Sequence, residues 1–268
     1  MIMEEKKVVA LLTDFGLRDN YVGAMKGVLL SKVSDFHLVD ITHEVPPQNI
    51  RYAAYQLMTC YQNFPKGTLF LCVVDPGVGT SRPILLVEAN QRIFIAPDNG
   101  LLSWVLHEIK PTRVLDISKN YLQTNISHTF HGRDIMAPVA ARVLMGENLN
   151  LLGEPVSSYV DIPFPSVQKL GSKWIGEVIA VDGFGNAISN VKTKDVIPYA
   201  ENAKVWIEFD KKIPAIRGLV TSYESVEIGK LMAIGGSAGF VELSVREGSA
   251  AQQTGFKEGD KIVFQFRT

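Results

Sequence analysis

Val8-Val9-Ala10-Leu11-Leu12-Thr13-Asp14 is a short apolar run that breaks off into Phe15-Gly16. It opens on two β-branched residues and is too short for a helix, so it reads as a buried strand over 8–14. Working outward, the spacing turns helical over 21–33 and strand-like over 37–42. A helix follows over 49–64, where Ile50, Ala53, Ala54, Leu57 and Met58 fall on one face. Strands over 68–75, 84–88 and 92–96 come next, then a helix over 101–109, a strand over 113–117 and a helix over 133–145. Strands alternating with helices predict an α/β domain over 1–156, with a mostly parallel sheet covered by helices.

The pattern changes beyond Gly153. Glu154-Pro155, Asp161-Ile162-Pro163-Phe164-Pro165 and Gly171 read as a proline-rich connection without regular structure, with a linker over 157–171. Short strands over 174–181, 204–209, 231–234, 240–245 and 261–266, separated by turn signals, predict a smaller antiparallel β-barrel over 172–268.

The chain has 268 residues, 46% of them hydrophobic, with 27 Lys+Arg against 28 Asp+Glu and a net charge of −1. Such a chain buries a sizeable core and is not intrinsically disordered. The balanced charge argues against partners held by phosphate neutralisation, so neither nucleic acid nor an anionic membrane is expected. Two cysteines, Cys60 and Cys72, in apolar surroundings form no disulfide framework or zinc cluster. Met1–Lys7 lacks the apolar run of a signal peptide, and no segment approaches the roughly 18 apolar residues of a membrane span. A soluble cytoplasmic protein is expected.

In open α/β sheets, ligands gather at the carboxyl ends of the strands. The expected strand ends here are Thr13-Asp14-Phe15-Gly16 with Asp19 beyond, Asp40-Ile41-Thr42-His43, Asp75-Pro76-Gly77-Val78-Gly79-Thr80-Ser81-Arg82, and Pro97-Asp98-Asn99-Gly100. The last helix of this half is preceded by Thr129-Phe130-His131-Gly132-Arg133-Asp134. Taken singly, Asp14 is equally a helix cap and Asp98-Asn99-Gly100 a turn. Gly77-Val78-Gly79 has neither a dinucleotide fingerprint nor a P-loop lysine. His131 lies outside any apolar periodicity and reads as a site residue. In the second half, Asp182, Phe184 and Asn186 bring a carboxylate, an aromatic face and an amide within five residues. An amide can pair with an adenine edge and a ring can stack on it.

These motifs, in order from residue 8 to about 260, together resemble the S-adenosyl-L-methionine hydroxide adenosyltransferases, homologues of the fluorinating and chlorinating enzymes that use the same substrate. The resemblance implies an α/β N-terminal domain, a C-terminal β-barrel and a homotrimer with active sites between subunits. It implies the reaction S-adenosylmethionine plus water to adenosine and methionine, with no cofactor. Asp75, Arg82 and His131 match the three residues that hold and activate the water. Asp14 matches the carboxylate that engages the ribose, Asp19 and Asp182 match acids near the methionine end, and Phe130 lines the pocket. Asn186 matches the adenine-reading amide, Phe184 and Tyr223 offer aromatic walls, and Ser237 matches a contact to the methionine moiety. Ala238 stands where the fluorinating relatives carry an Arg.

The chemistry suits these residue types. Attack on C5′ expels a neutral thioether, so the leaving group needs neither an acid nor a metal. The difficulty lies with water, which must be desolvated, oriented and partly deprotonated. Arg82 cannot act as a base but can hold developing hydroxide, His131 can accept a proton, and Asp75 can orient the pair. Two other readings stay open on the residues alone. One is a metal-dependent phosphoesterase using Asp14, Asp75, Asp98, His131 and Asp134; the other is a non-catalytic nucleoside or S-adenosylmethionine sensor.

Overall fold

Strand β1 (Lys7–Thr13) is the strand expected over 8–14. The computed structural model describes residues 7–119, 125–200, 205–209 and 213–267. Residues 1–6, on which the absence of a signal peptide was read, and Lys204, at the start of one expected strand, lie outside the described residues. Two compact units divide the chain, Met1–Pro163 and Phe164–Thr268.

In the first unit β1 is followed by α1 (Tyr21–Leu30), β2 (Phe36–Thr42), α2 (Ile50–Cys60), β3 (Leu69–Val73), β4 (Ile84–Ala89) and β5 (Arg92–Pro97). Then come α3 (Ser103–Glu108), β6 (Pro111–Asp116), α4 (Ala137–Leu144) and β7 (Glu154–Pro155). The sheet order is β2-β1-β3-β5-β4-β6-β7. Its β2-β1-β3-β5 half is parallel, and β4, β6 and β7 join antiparallel. Successive residues of β1 point to opposite faces. Val9 and Leu11 pack with Met25 and Leu29 of α1 and with α4, while Ala10 and Leu12 pack with Ala53 and Leu57 of α2 and with α3. Burial on both faces is why β1 and β3 read as unbroken apolar runs.

The chain passes from β1 through α1 to β2, then back across β1 through α2 to β3, on the other face of the sheet. The carboxyl ends of β1 and β3 therefore flank a topological switch point, where the connections diverge and leave a crevice. Thr13 is paired with Val73 there, so Asp14 and Asp75 leave the sheet side by side.

Three sequence expectations are corrected. Helix α1 stops at Leu30, three residues early. The helix expected over 133–145 begins as a π-turn, Gly132–Met136, before α4. Glu154-Pro155 is not bare connection: it pairs with β6, Leu115 opposite Pro155. Proline is tolerated because β7 ends the sheet, where its missing N–H breaks no ladder. Residues just beyond belong to the first unit, since Val160 N–H donates to Asp98 Oδ1 at 2.8 Å and Ile162 N–H to Ser103 Oγ at 2.8 Å.

The second unit contains β8 (Gln168–Leu170), β9 (Lys173–Val181), β10 (Ala187–Lys192), α5 (Thr193–Ala200), β11 (Val205–Phe209) and β12 (Ile216–Arg217). It ends with β13 (Leu231–Gly235), β14 (Phe240–Val245), α6 (Ala250–Thr254) and β15 (Lys261–Phe266). The antiparallel order is β12-β11-β15-β9-β10-β14-β13, with β8 beside β9. Val220, just past β12, bridges Ile234 on β13 at the opposite end of that order, so the sheet nearly closes into a barrel. Its interior holds Val178, Ile207, Val241, Leu243, Ile262 and Phe264. Strand β10 escaped the sequence reading because Ser189 and Asn190 interrupt its apolar pattern. Both are buried with their polar groups used: Ser189 Oγ donates to Val241 O at 2.7 Å, and Asn190 Oδ1 accepts from Glu177 N–H at 2.9 Å. Among the described residues no helix is long and apolar enough to cross a membrane.

Candidate active site

The turn after β3 decides where its charges go. Asp75 leaves the strand, and the chain winds tightly through Thr80, whose hydroxyl donates to Gly77 O at 2.7 Å and accepts from Arg82 N–H at 3.3 Å. Arg82 is thereby folded back onto Asp75. Its Nε donates to Asp75 Oδ1 at 2.6 Å and its Nη2 to Asp75 Oδ2, a two-pronged pair with side chains only 10% and 6% exposed. Gly79 adopts φ +81, and a Cβ there would overlap the His128 carbonyl oxygen, so glycine lets this turn lie against the segment that leads to His131.

His131 caps the π-turn that precedes α4. Gly132 sits against Met25 and Val73 at distances that leave little space for a side chain, which brings the turn close to the end of β3. Arg82 Nη2 then donates to His131 Nδ1 at 3.2 Å. Guanidinium has no acceptor, so Nδ1 carries the lone pair and the neutral ring bears its proton on Nε2. Burial, reinforced by the Arg82 charge, holds the His131 pKa below its ordinary value, favouring the neutral ring. Arg82 Nη1 is buried and, among the described residues, has no hydrogen-bond partner. A buried cationic donor left open in this way is costly unless a ligand completes it.

Asp75 and His131 line a cavity of about 300 Å³ with Asp14, Phe15, Tyr21, Gln48, Thr129 and Phe130 among its other walls. Phe15, Tyr21 and Phe130 form a ring cluster with centroids 5.3 to 5.8 Å apart. Asp14 Oδ2 accepts from Gln48 N–H at 2.8 Å. Gln48 holds φ 65, a strained conformation for a residue with a side chain, at the wall of the cavity. Burial, with the nearby Asp75 charge, raises the Asp14 pKa. Behind this wall Thr13 Oγ1 lies 2.8 Å from His43 Nδ1, and Gly16 N–H donates to His43 O at 2.7 Å. His43 is thus buried support for the 14–16 turn rather than a wall residue. Asp19 stands outside the cavity, exposed beside a shallow depression with Leu17 and Lys26.

In the second unit Phe184, Asn186 and Tyr223 line a separate cavity of about 420 Å³ with Val245, Glu247 and Gly248. Phe184 is 83% exposed. Asp182 is occupied structurally: Oδ1 accepts from Phe184 N–H at 3.0 Å and Asn186 N–H at 2.8 Å, and Oδ2 from Asn186 Nδ2 at 2.9 Å. Ser237 is exposed in the turn between β13 and β14. Glu247 and Gly248 were missed; nothing in their local pattern separates them from an ordinary turn.

The phosphoesterase reading needs Asp14, Asp75, Asp98, His131 and Asp134 as one set. Asp98 accepts from Val160 N–H, and Asp134 is bound by Arg133 (2.6 Å) and Ser127 N–H (2.8 Å). Among the described residues no three His, Cys, Asp or Glu side chains come together as a metal-binding group. Asn99, whose Nδ2 donates to Val74 O at 2.8 Å, braces the end of β3.

Comparisons with known proteins identify the family. Residues 9–153 match the family model of the SAM hydroxide adenosyltransferase N-terminal domain, and residues 176–263 that of the C-terminal domain. The chain is 34% identical to the (R)-S-adenosyl-L-methionine hydrolase of Salinispora tropica, over 95% of this chain and 96% of that one. It is likewise 34% identical to the Thermus thermophilus protein of the same name, over 94% and 96%. A crystal structure of an uncharacterized conserved protein from Thermotoga maritima superposes with a TM-score of 0.89 at 36% identity, covering 96% of this chain and 99% of that one.

Proposed function

The chain belongs to the SAM hydroxide adenosyltransferase family, and on that footing we infer that it hydrolyses S-adenosyl-L-methionine to adenosine and L-methionine. The observation that carries the mechanism is Arg82: clamped by Asp75, bonded to His131, and left with Nη1 buried and open. The guanidinium is proposed to hold the nucleophilic water through Nη2, the nitrogen that meets His131 in the free protein. Asp75 fixes the guanidinium and offsets its charge, so the site can accept a cationic sulfonium beside it.

As the water oxygen bonds C5′, the C5′–S bond breaks and its electron pair returns to sulfur, releasing methionine as a neutral thioether. The water proton passes to His131 Nδ1, whose lone pair faces Arg82 in the free protein and turns to the water when it enters between them. Arg82 stabilises the developing hydroxide, and the aromatic cluster keeps bulk water away. No step calls for a metal, and none is proposed.

On the same reading Asp14 engages the ribose hydroxyls, Phe130 lines the ribose and sulfur end, and Asn186, Phe184 and Tyr223 receive the adenine. Asp19, Asp182 and Ser237 serve the methionine end. A homotrimer with the site completed across subunits is proposed, as is a cytoplasmic location. In support of assembly, Leu17 (70% exposed) on the first unit and Phe184 on the second are exposed large hydrophobics.

The test is product identification. Purified protein incubated with S-adenosylmethionine should release adenosine and methionine in equal amounts, undiminished by a chelator. The relatives are named for the (R) epimer at sulfur, so both epimers should be assayed. Products at the uncatalysed background with both epimers would sink the reading. Activity lost to chelator and restored by a divalent cation would favour the metal-dependent alternative.

A further inference from the structure

His43, just past β2, has a buried side chain that the reaction does not use. The pairing of β1 with β2 slips by one residue between Leu11, opposite Asp40, and Leu12, opposite Thr42. That bulge brings His43 rather than Thr42 level with Thr13, the last residue of β1. Thr13 is itself fully buried, so its hydroxyl acts on its neighbours and not on a substrate. Thr13 Oγ1 lies 2.8 Å from His43 Nδ1 and accepts from Phe15 N–H at 3.3 Å. On the far side of the ring, Nε2 lies 3.1 Å from Asp40 Oδ1, and Asp40 Oδ2 accepts from Lys26 Nζ at 2.6 Å. The contact between Nε2 and Asp40 is within ion-pair reach but off the hydrogen-bond direction, so it acts on the ring through charge.

The proton positions follow from the donor inventory. A carboxylate only accepts, so it favours the tautomer with the proton on Nε2 and the lone pair on Nδ1. The Thr13 hydroxyl then donates to Nδ1 and keeps a lone pair for Phe15 N–H. This row of polar groups joins α1, β2 and β1, and it ends on the amide next to Asp14. The same stretch of chain grips the turn twice more, through Gly16 N–H to His43 O at 2.7 Å and Gln48 N–H to Asp14 Oδ2 at 2.8 Å. Asp14 is therefore held through Thr13, Phe15 and Gly16 as well as by its own carboxylate. A carboxylate that serves two adjacent hydroxyls has to be placed to within about 0.5 Å, which calls for such support. We propose that His43, its ring set by Asp40 and Lys26, is the positioning residue for Asp14. It fixes the 13–16 turn so that the carboxylate meets both ribose hydroxyls, and so makes the site selective for ribonucleosides over deoxyribonucleosides. This assignment rests on the reading in which Asp14 engages the ribose of S-adenosylmethionine.

Steady-state turnover of S-adenosylmethionine, inhibited by adenosine or by 2′,3′-dideoxyadenosine, tests it. In His43→Gln, KM and the adenosine inhibition constant should both rise about tenfold, the scale of one hydrogen bond to a charged group. The dideoxyadenosine constant should stay at its wild-type value. Turnover at saturation should change by less than about threefold, because Arg82 and His131 stand on other segments. His43→Asn, which keeps an acceptor near the place of Nδ1, should restore most of the affinity. Asp40→Ala, at a side chain 40% exposed, should move the same constants the same way by about twofold to fivefold. In an Asp14→Ala background, His43→Gln should add nothing, since the group it positions is gone. An unchanged KM in His43→Gln, an equal rise for both nucleosides, or a further rise in the Asp14→Ala background would each overturn the assignment to His43. No change in Asp40→Ala would overturn the part given to Asp40 and Lys26. If wild type releases no adenosine the hydrolase reading fails, and if it binds both nucleosides equally the role of Asp14 at the ribose fails; either result takes this proposal with it.

Discussion

Arg82→Ala should lower kcat by about a hundredfold to a thousandfold, the scale seen when a donor to a developing oxyanion is removed. KM for S-adenosylmethionine should move by less than about threefold, because Arg82 faces the nucleophile rather than the substrate's binding groups. Stability should fall too. Asp75 is 6% exposed and would be left as a buried charge without its two-pronged partner, a loss of roughly 3–5 kcal/mol for such pairs. The double variant Asp75→Asn/Arg82→Met separates these effects: with no charge left behind, thermal stability should recover while kcat stays low. Recovery of turnover together with stability would mean that the pair holds the turn in place and takes no part in the chemistry.

The second large effect concerns His131. His131→Gln should reduce kcat by about 10²- to 10⁴-fold, the usual contribution of a positioned general base. The pH profile gives the sharper test. The neutral ring is the competent form, and burial with the Arg82 charge lowers its pKa from an ordinary value of about 6.5. Wild-type kcat should therefore be level at neutral and mildly alkaline pH. It should fall tenfold per unit only once the pH drops below that lowered pKa. In His131→Gln the acidic limb should vanish from the residual rate. A limb that survives the substitution would assign proton transfer to another group.

Much of this arrangement was legible in the residues, for physical reasons. Strands β1 and β3 are buried on both faces, so they appear as uninterrupted apolar runs whose polar ends, Asp14 and Asp75, stand out. Those runs, with the alternating helices, were enough to place both acids at strand ends. Gathering Arg82 and His131 beside Asp75 is a long-range event that periodicity does not encode; it was reached through motifs in register with a known family. The proton position on His131 was not legible, because it is imposed through space by Arg82 Nη2. In Phe240-Val241-Glu242-Leu243-Ser244-Val245 alternation marks Glu242 as an ordinary outward residue, yet it is buried. Strand β10 was lost because buried Ser189 and Asn190 satisfy polar groups that a sequence pattern counts as exposed.

The most direct test of the central claim, that a water held at Arg82 attacks C5′, is mass spectrometry of single-turnover products formed in ¹⁸O-enriched water. The account predicts one ¹⁸O atom in adenosine, at the 5′-hydroxyl, and unlabelled methionine. Unlabelled adenosine, or label in the amino acid product, would contradict it.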